Sequence, residues 1–213
     1  MEENGYANFA ELHQNEQENS DYSIISYHRK PEIAILAIHG GNIEPGTSEV
    51  ATILGERLNA STYLFEGLKR RDNGKLHITS TAFDEPIAIL MANTANTILS
   101  IHGYRSSHEE LVYIGGKNQL YKQLIQIALN DAGFQTADAP PHLLGMNEFN
   151  ITNRCKTGAG VQLELSRKLR NRFFLNDDPR SKNRHNQTET LNRFVGALEE
   201  ATMEYRKAIL DVL

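Results

Sequence analysis

Two apolar runs in this 213-residue chain end in the same way. Residues 33–38, Ile-Ala-Ile-Leu-Ala-Ile, stop at His39-Gly40-Gly41, and residues 97–101 stop at His102-Gly103. A carboxylate, Glu44, follows the first histidine within the same loop. Short apolar runs of this kind read as buried strands. The carboxyl ends of strands in an open α/β sheet are where ligands bind. Two imidazoles and one carboxylate form the donor set of a catalytic zinc site, whose fourth position stays open for water. His39 and Glu44 are five residues apart, which cannot place both on one helix face. A Gly-Gly turn can close that spacing, because glycine lets the backbone fold back. His102 must then arrive from a neighbouring strand. A lone histidine at a strand end is ordinarily structural. Two of them, each followed by glycine and sharing a carboxylate, point to a metal ion, with one Zn2+ expected per chain.

Other polar residues near these runs are candidates with two readings each. His77 lies in a long, polar, glycine-punctuated stretch, residues 67–86, of the kind that forms substrate loops. It reads as a hydrogen-bond donor to a tetrahedral oxyanion or as a structural histidine. Tyr104 reads as an acid or oxyanion donor, or as a packed tyrosine. Arg105 reads as a clamp for a substrate carboxylate or as a surface ion-pair partner. Ser106 and Ser107 beside His108 lack the Gly-x-Ser-x-Gly elbow of a serine hydrolase.

Three separated motifs carry a resemblance: His39-Gly40-Gly41-Asn42-Ile43-Glu44-Pro45-Gly46-Thr47, Ser100-Ile101-His102-Gly103-Tyr104, and Gly158-Ala159-Gly160-Val161-Gln162-Leu163-Glu164-Leu165-Ser166. In this order the chain, from about residue 26 onward, resembles the poly-γ-glutamate hydrolases of Bacillus phages and their relatives in host genomes. The resemblance implies a zinc-dependent hydrolase with a compact, carboxypeptidase-like α/β fold that cleaves γ-linked glutamyl amide bonds within the polymer. His39, Glu44 and His102 would be its metal ligands. Glu164 looks like the carboxypeptidase strand glutamate that activates the attacking water; the alternative is a solvent-facing residue on an edge strand. Asn153-Arg154 is similar to the pair with which carboxypeptidases hold a substrate carboxylate, arginine offering two parallel donors. Here the pair follows the second metal histidine instead of preceding it, and Arg105 is its rival. The five-residue spacing of His39 and Glu44 also departs from the spacing of three in classical zinc carboxypeptidases. Two alternatives stay open. One is another zinc acylase or peptidase, such as an N-acyl-amino-acid or peptidoglycan γ-glutamyl hydrolase. The other is a polyanion-binding module whose structural metal is closed by a fourth protein ligand.

Such a site needs strands that end together. Residues 32–38, 61–65, 97–101, 111–114, 134–137 and 161–165 read as strands. Helices are predicted over 46–59, from 86 onward, and over 117–131 with Gly133 as its stop. A long final helix is predicted from a capping box of Asn186 and Glu189, with Leu191, Phe194, Val195, Leu198, Tyr205 and Ile209 on its apolar face. The alternation predicts an α/β fold: a mixed, largely parallel central sheet with helices on both faces. Residues 1–213 read as a single catalytic domain, with residues 1–25 loosely packed apart from Phe9 and Leu12.

Composition narrows the partners. A single cysteine, Cys155, excludes an intramolecular disulfide and a cysteine-only metal site. No apolar run has membrane-spanning length. The N-terminus lacks the basic start and apolar stretch of a secretory signal, so a cytoplasmic location is expected, with release by cell lysis. The net charge of −5 hides an asymmetry: residues 1–27 carry six acids and no Lys or Arg, and residues 154–184 carry nine bases against three acids. That basic run reads as a solvated face or as a cationic channel drawing in an anionic polymer. Overall acidity and the absence of a recognition motif argue against nucleic acid. The expected partner is poly-γ-glutamate or another γ-glutamyl substrate, with no membrane and with a monomer assumed.

Overall fold

The apolar runs form the centre of a seven-stranded sheet in a computed structural model that describes residues 5–210. In chain order the strands are β1 (Tyr22–Tyr27), β2 (Lys30–Gly41), β3 (Ala60–Gly67), β4 (Thr97–Tyr104), β5 (Leu111–Gly116), β6 (Gln135–Asp138) and β7 (Val161–Ser166). The helices are α1 (Phe9–Asn15), α2 (Thr47–Leu58), α3 (Pro86–Thr94), α4 (Gln119–Asp131), α5 (Arg167–Arg172) and α6 (Glu189–Leu210). Across the sheet the order is β1-β3-β2-β4-β7-β5-β6. β3–β2, β2–β4, β4–β7 and β5–β6 are parallel, whereas β1–β3 and β5–β7 are antiparallel. The sheet is therefore mixed and largely parallel, as the alternation of elements predicts.

Both faces of the sheet are covered, which is why its strands read as continuous apolar runs. In β2, Ile33, Ile35 and Ala37 cluster with residues of α2, α4 and α6, while Ala34, Leu36 and Ile38 cluster with Leu12 of α1, residues 76–83 and α3. Full burial of one such Leu or Ile contributes roughly 1.5–3 kcal/mol. In β4 and β7 the same alternation puts Leu99, Ile101, Val161, Leu163 and Leu165 on the α2/α4/α6 side. Ser100, His102, Gln162 and Glu164 therefore project to the opposite side.

Strict alternation along β2 would send His39 with Ile33, Ile35 and Ala37, away from His102. A β-bulge prevents this. Ala37 pairs with Leu64 but Gly40 pairs with Glu66, so β2 spends three residues where β3 spends two. The extra residue reverses the parity of everything after it. His39 thereby joins His102 and Glu164 on one face.

The structure departs from the expected elements in places. Residues 5–25, expected to pack loosely, contribute α1 and the start of edge strand β1, with Leu12 and Tyr22 fully buried. Tyr22 stacks on Phe65 with ring centroids 5.2 Å apart, and Phe9 meets both rings edge-on. Phe9 and Leu12 are the anchors expected from the sequence, and Tyr22 is a further one that the polar composition conceals; residues 1–4 lie outside the described residues. The Asn186/Glu189 capping box does not form. α6 starts at Glu189, whose carboxylate accepts from Asn192, while Asn186 donates to Asn183 Oδ1. α3 starts at Pro86 because the buried Glu85 carboxylate accepts from the N–H groups of Ile87 and Ala88, at 3.0 and 2.8 Å.

Candidate metal centre

The turn after β2 closes the five-residue spacing directly. The Glu44 N–H donates to the His39 carbonyl at 2.9 Å. Gly41 sits at φ +63°, and a Cβ there would lie 2.6 Å from the Gly67 carbonyl oxygen. Glycine is therefore required both by conformation and by the approach of β3. The turn returns the Glu44 carboxylate over the ends of β2 and β4. One oxygen, Oε2, accepts from the Gly103 N–H at 2.8 Å; the other, Oε1, lies 3.3 Å from His39 Nδ1.

The imidazoles are oriented from behind. His39 Nε2 is 2.8 Å from the Ile78 carbonyl, which can only accept, so Nε2 carries a hydrogen and Nδ1 is the ring nitrogen turned toward Glu44 and His102. His102 Nε2 is 2.7 Å from Ser100 Oγ, and His102 Nδ1 faces His39 Nδ1 at 3.1 Å. Such outer hydrogen bonds are what fix metal-binding histidines. Ligand atoms around a tetrahedral ion with bonds of about 2.0–2.1 Å sit roughly 3.3–3.4 Å apart. The His39–His102 and His39–Glu44 separations of 3.1 and 3.3 Å fit that shell.

His77 arrives from residues 67–86, stacked on His39 with centroids 3.7 Å apart, and its Nε2 is 3.8 Å from Glu44 Oε1. Donor atoms of His39, Glu44 and His77 all lie within 4.8 Å of one another. His77 is the outermost donor: its side chain is 39% exposed, against 2% for His39 and 12% for Glu44.

The surroundings shift three of these groups. Burial opposes charge on Glu44, but His39, His102 and His77 outweigh it and bring the carboxyl down to about 2. Burial, then His39, lowers His102 to about 3. His39, then burial, lowers His77 to about 4, with nearby Arg105 adding to the effect. Neutral His102 and His77 beside an ionised Glu44 suit a divalent cation.

Glu164 stands one strand over, its Cα in register with that of His102. β7 lies between β4 and β5, so Glu164 is on an interior strand, and it is 6% exposed. Burial first, and Glu44 second, push its carboxyl well above the ordinary carboxylate range.

The remaining sequence candidates divide. Tyr104 donates to Glu109 Oε1 at 3.2 Å and packs against Tyr113, which is in register with Glu164. Burial, then Glu109, raises its phenol. Arg105 is exposed beside the site. Asn153 is buried and fully engaged: Nδ2 donates to the carbonyls of Gly145 and Asn147, and Oδ1 accepts from the Gly160 N–H. Arg154 donates to the Phe149 and Thr81 carbonyls at 3.0 and 3.4 Å, tying two loops together.

Sequence reasoning passed over Arg170 as one more base in a basic run. Its guanidinium is 4% exposed and donates to the carbonyls of Pro45, Leu165 and Tyr104, joining the Glu44 turn to the ends of β7 and β4. Among the described residues no carboxylate lies within ion-pair distance of it. A Cβ on Gly103 would collide with Arg170 Nε, so the His102-Gly103 pair leaves room for this strut as well.

Fold and donors define a class: an open α/β sheet with a histidine–carboxylate cluster that could hold a metal at the carboxyl ends of its central strands. The chain belongs to the poly-gamma-glutamate hydrolase family, which it matches over residues 6–197. It is 41% identical over 183 residues to UPF0714 protein YmaC of Bacillus subtilis (strain 168), covering 84% of this chain and 75% of the relative. It is similar to a solved bacteriophage poly-gamma-glutamate hydrolase at a TM-score of 0.95 and 35% identity, covering 97% of this chain and 100% of that one. A structure described as YNDL-apo (Zinc-free) matches at a TM-score of 0.87 and 37% identity, covering 94% and 98%.

Proposed function

We propose that this chain hydrolyses γ-glutamyl amide bonds within poly-γ-glutamate, with zinc held by His39, Glu44 and His102 and with Glu164 as general base. The observation that carries this reading is the buried Glu164 carboxylate, in register with His102 on the face where the donors converge. The family supports the substrate class. The zinc named for the YNDL structure, together with the donor separations here, supports the metal.

When bound, zinc supplies a Lewis acid that polarises the scissile carbonyl and acidifies water. Glu164 accepts the proton of the attacking water as the new C–O bond forms. It returns that proton to the amide nitrogen as the C–N bond breaks. A carboxyl raised by burial can hold the proton between the two transfers. His77, at the solvent side, donates a hydrogen bond to the developing oxyanion. Arg105 offers two donors to the α-carboxylate that every γ-linked repeat presents. Arg154 is the weaker candidate, because its Nε and Nη2 already donate to backbone carbonyls. Recognition of one repeat at a time suits cleavage inside the polymer. In a phage such an activity would strip a host capsule; in a bacterium it would recycle the polymer.

The test is to follow polymer size during incubation with the purified protein, with and without a chelator. The polymer is expected to shorten, to stop shortening on chelation and to resume on adding zinc. Unchanged polymer would overturn the substrate, and cleavage indifferent to chelation would overturn the metal.

One observation favours a second reading. His77 shares the donor cluster, and four protein ligands would close the site in the manner of a structural metal. His77→Ala separates the two. With His77 as an oxyanion donor, zinc content stays and turnover falls, by about 10²–10³-fold. With His77 as a fourth ligand, zinc should be lost, as is expected for His102→Ala.

A further inference from the structure

Glu164 is tethered from one side by a chain of buried amides. The Thr152 backbone N–H lies 3.0 Å from the side-chain oxygen of Asn150. A backbone N–H can only donate, so it settles which end of that carboxamide is oxygen and which is nitrogen. Asn150 Nδ2 then donates to Gln162 Oε1 at 2.9 Å. That leaves Gln162 Nε2 to donate to Glu164 Oε1, also at 2.9 Å. Asn150, Gln162 and Glu164 are 4, 5 and 6% exposed, so water does not compete for these bonds.

The support for the chain is equally specific. Gln162 and Glu164 share a face of β7 because they are two residues apart. Gly145, at φ +63°, lies flat on Gln162; a Cβ there would come within 3.1 Å of Gln162 Oε1. Asn153 pins the same loop through the carbonyls of Gly145 and Asn147. The loop between β6 and β7 is thus fastened to the back of Glu164.

We propose that this chain of amides is a positioning device for the general base. It commits Glu164 Oε1 to accepting from Gln162 and leaves Oε2 as the oxygen that exchanges the proton. Asn150 and Gln162 are positioning residues: neither meets the substrate, and both set the rotation of the carboxylate that does. The proton leaves water for Oε2 and leaves the same Oε2 for the amine nitrogen, so one oxygen performs both transfers without the carboxylate turning. The inference rests on Glu164 being the base.

Asn150→Asp tests polarity at constant shape. The carboxylate it introduces can still accept from Thr152 but has no hydrogen for Gln162. The Gln162 amide then turns its nitrogen toward that new carboxylate and its oxygen toward Glu164, replacing the donor at Oε1 by an acceptor. Gln162→Met removes the donor while keeping the length. Both variants are expected to keep zinc content and KM within a few-fold and to lose about 10–100-fold in kcat, the scale on which misplaced groups act. In a Glu164→Gln background neither substitution should lower kcat further, because residues acting as one unit are not additive. Glu164→Gln with wild-type turnover would overturn the base itself. An inactive Glu164→Gln beside fully active Asn150→Asp and Gln162→Met would overturn the positioning device and leave the base standing. A further loss of kcat in the Glu164→Gln background would also overturn it, because only a general structural role predicts that. If Asn150→Asp lowers the thermal midpoint, Gln162→Met decides alone.

Discussion

At the scale of single residues, the site is a balance of charge states that the fold imposes before any ion arrives. His102 is held at about 3, against an ordinary histidine value near 6.5, by burial and by His39. Between those values the unfolded chain binds a proton that the folded chain refuses, so this residue withdraws stability as pH falls through that window. Glu164 has the opposite sign: its raised carboxyl lets the folded chain keep a proton that the unfolded chain gives up, so its contribution grows on acidification. Comparing variants isolates the histidine. In metal-free protein, the thermal midpoint of wild type should fall more steeply between pH 7 and pH 4 than that of His102→Gln. Parallel midpoint curves would contradict the assigned state of His102. His39, Glu44 and His102 were singled out in the sequence because donor type and neighbouring glycines mark a candidate metal site at short range; the donor atoms that gather within 4.8 Å of one another are those of His39, Glu44 and His77. Arg170, Ser100, Asn150 and Gln162 were not assigned their roles, because an amide or a guanidinium acquires one only from what the fold places against it. Asn153 shows the converse: its neighbour Arg154 suggested a substrate pair, yet its hydrogen bonds serve the loop behind Glu164.

At the scale of elements, the decisive device is the bulge in β2 together with the Gly40-Gly41 turn. Together they put His39 on the face of His102 and bring Glu44 back to His39 and to the Gly103 N–H. Gly41→Ala should cost about 1–2 kcal/mol for the left-handed conformation alone. The approach of Gly67 adds to that cost. A lowered thermal midpoint with weakened zinc retention is the expected outcome; a variant with unchanged midpoint and zinc content would show that the turn has other ways to close. The central strands were legible because a run buried on both faces is apolar throughout. The bulge was not, since a register shift depends on the partner strand, and β2 gives no local sign that three of its residues will meet two of β3. The edge strand β1, with α1 before it, escaped for a different reason. Their anchors, Phe9, Leu12 and Tyr22, are spread through an acidic, polar stretch in which neither period stands out.

At the scale of the whole molecule, the basic run that suggested a channel is partly engaged by the fold and by surface pairs. Arg170 is buried, Lys168 and Arg172 approach Glu110, Arg180 pairs with Asp178, and Arg184 reaches Glu49 and the Gly41 carbonyl. Composition shows an excess of charge but not its pairing. Arg105 remains exposed beside the donors, and Arg70, Arg71 and Lys75 are exposed on the loop that carries His77. Polymer capture should therefore depend on that side of the site. Arg105→Ala should raise KM for long polymer and reduce its salt dependence, since exposed charges are screened over about 8–10 Å at physiological ionic strength. Arg180→Ala should change neither. Equal KM values for Arg105→Ala and wild type at low salt would remove Arg105 from the substrate path. Among the described residues no helix is long and apolar enough to cross a membrane.

The most direct test of the account is the turnover of Glu164→Gln on poly-γ-glutamate, normalised to the zinc bound by the same preparation. Glutamine keeps the shape and can still bond to its neighbours, but it cannot take a proton from water. Full zinc occupancy with turnover reduced by about 10²–10⁴-fold is expected. Full occupancy with turnover near that of wild type would contradict the account.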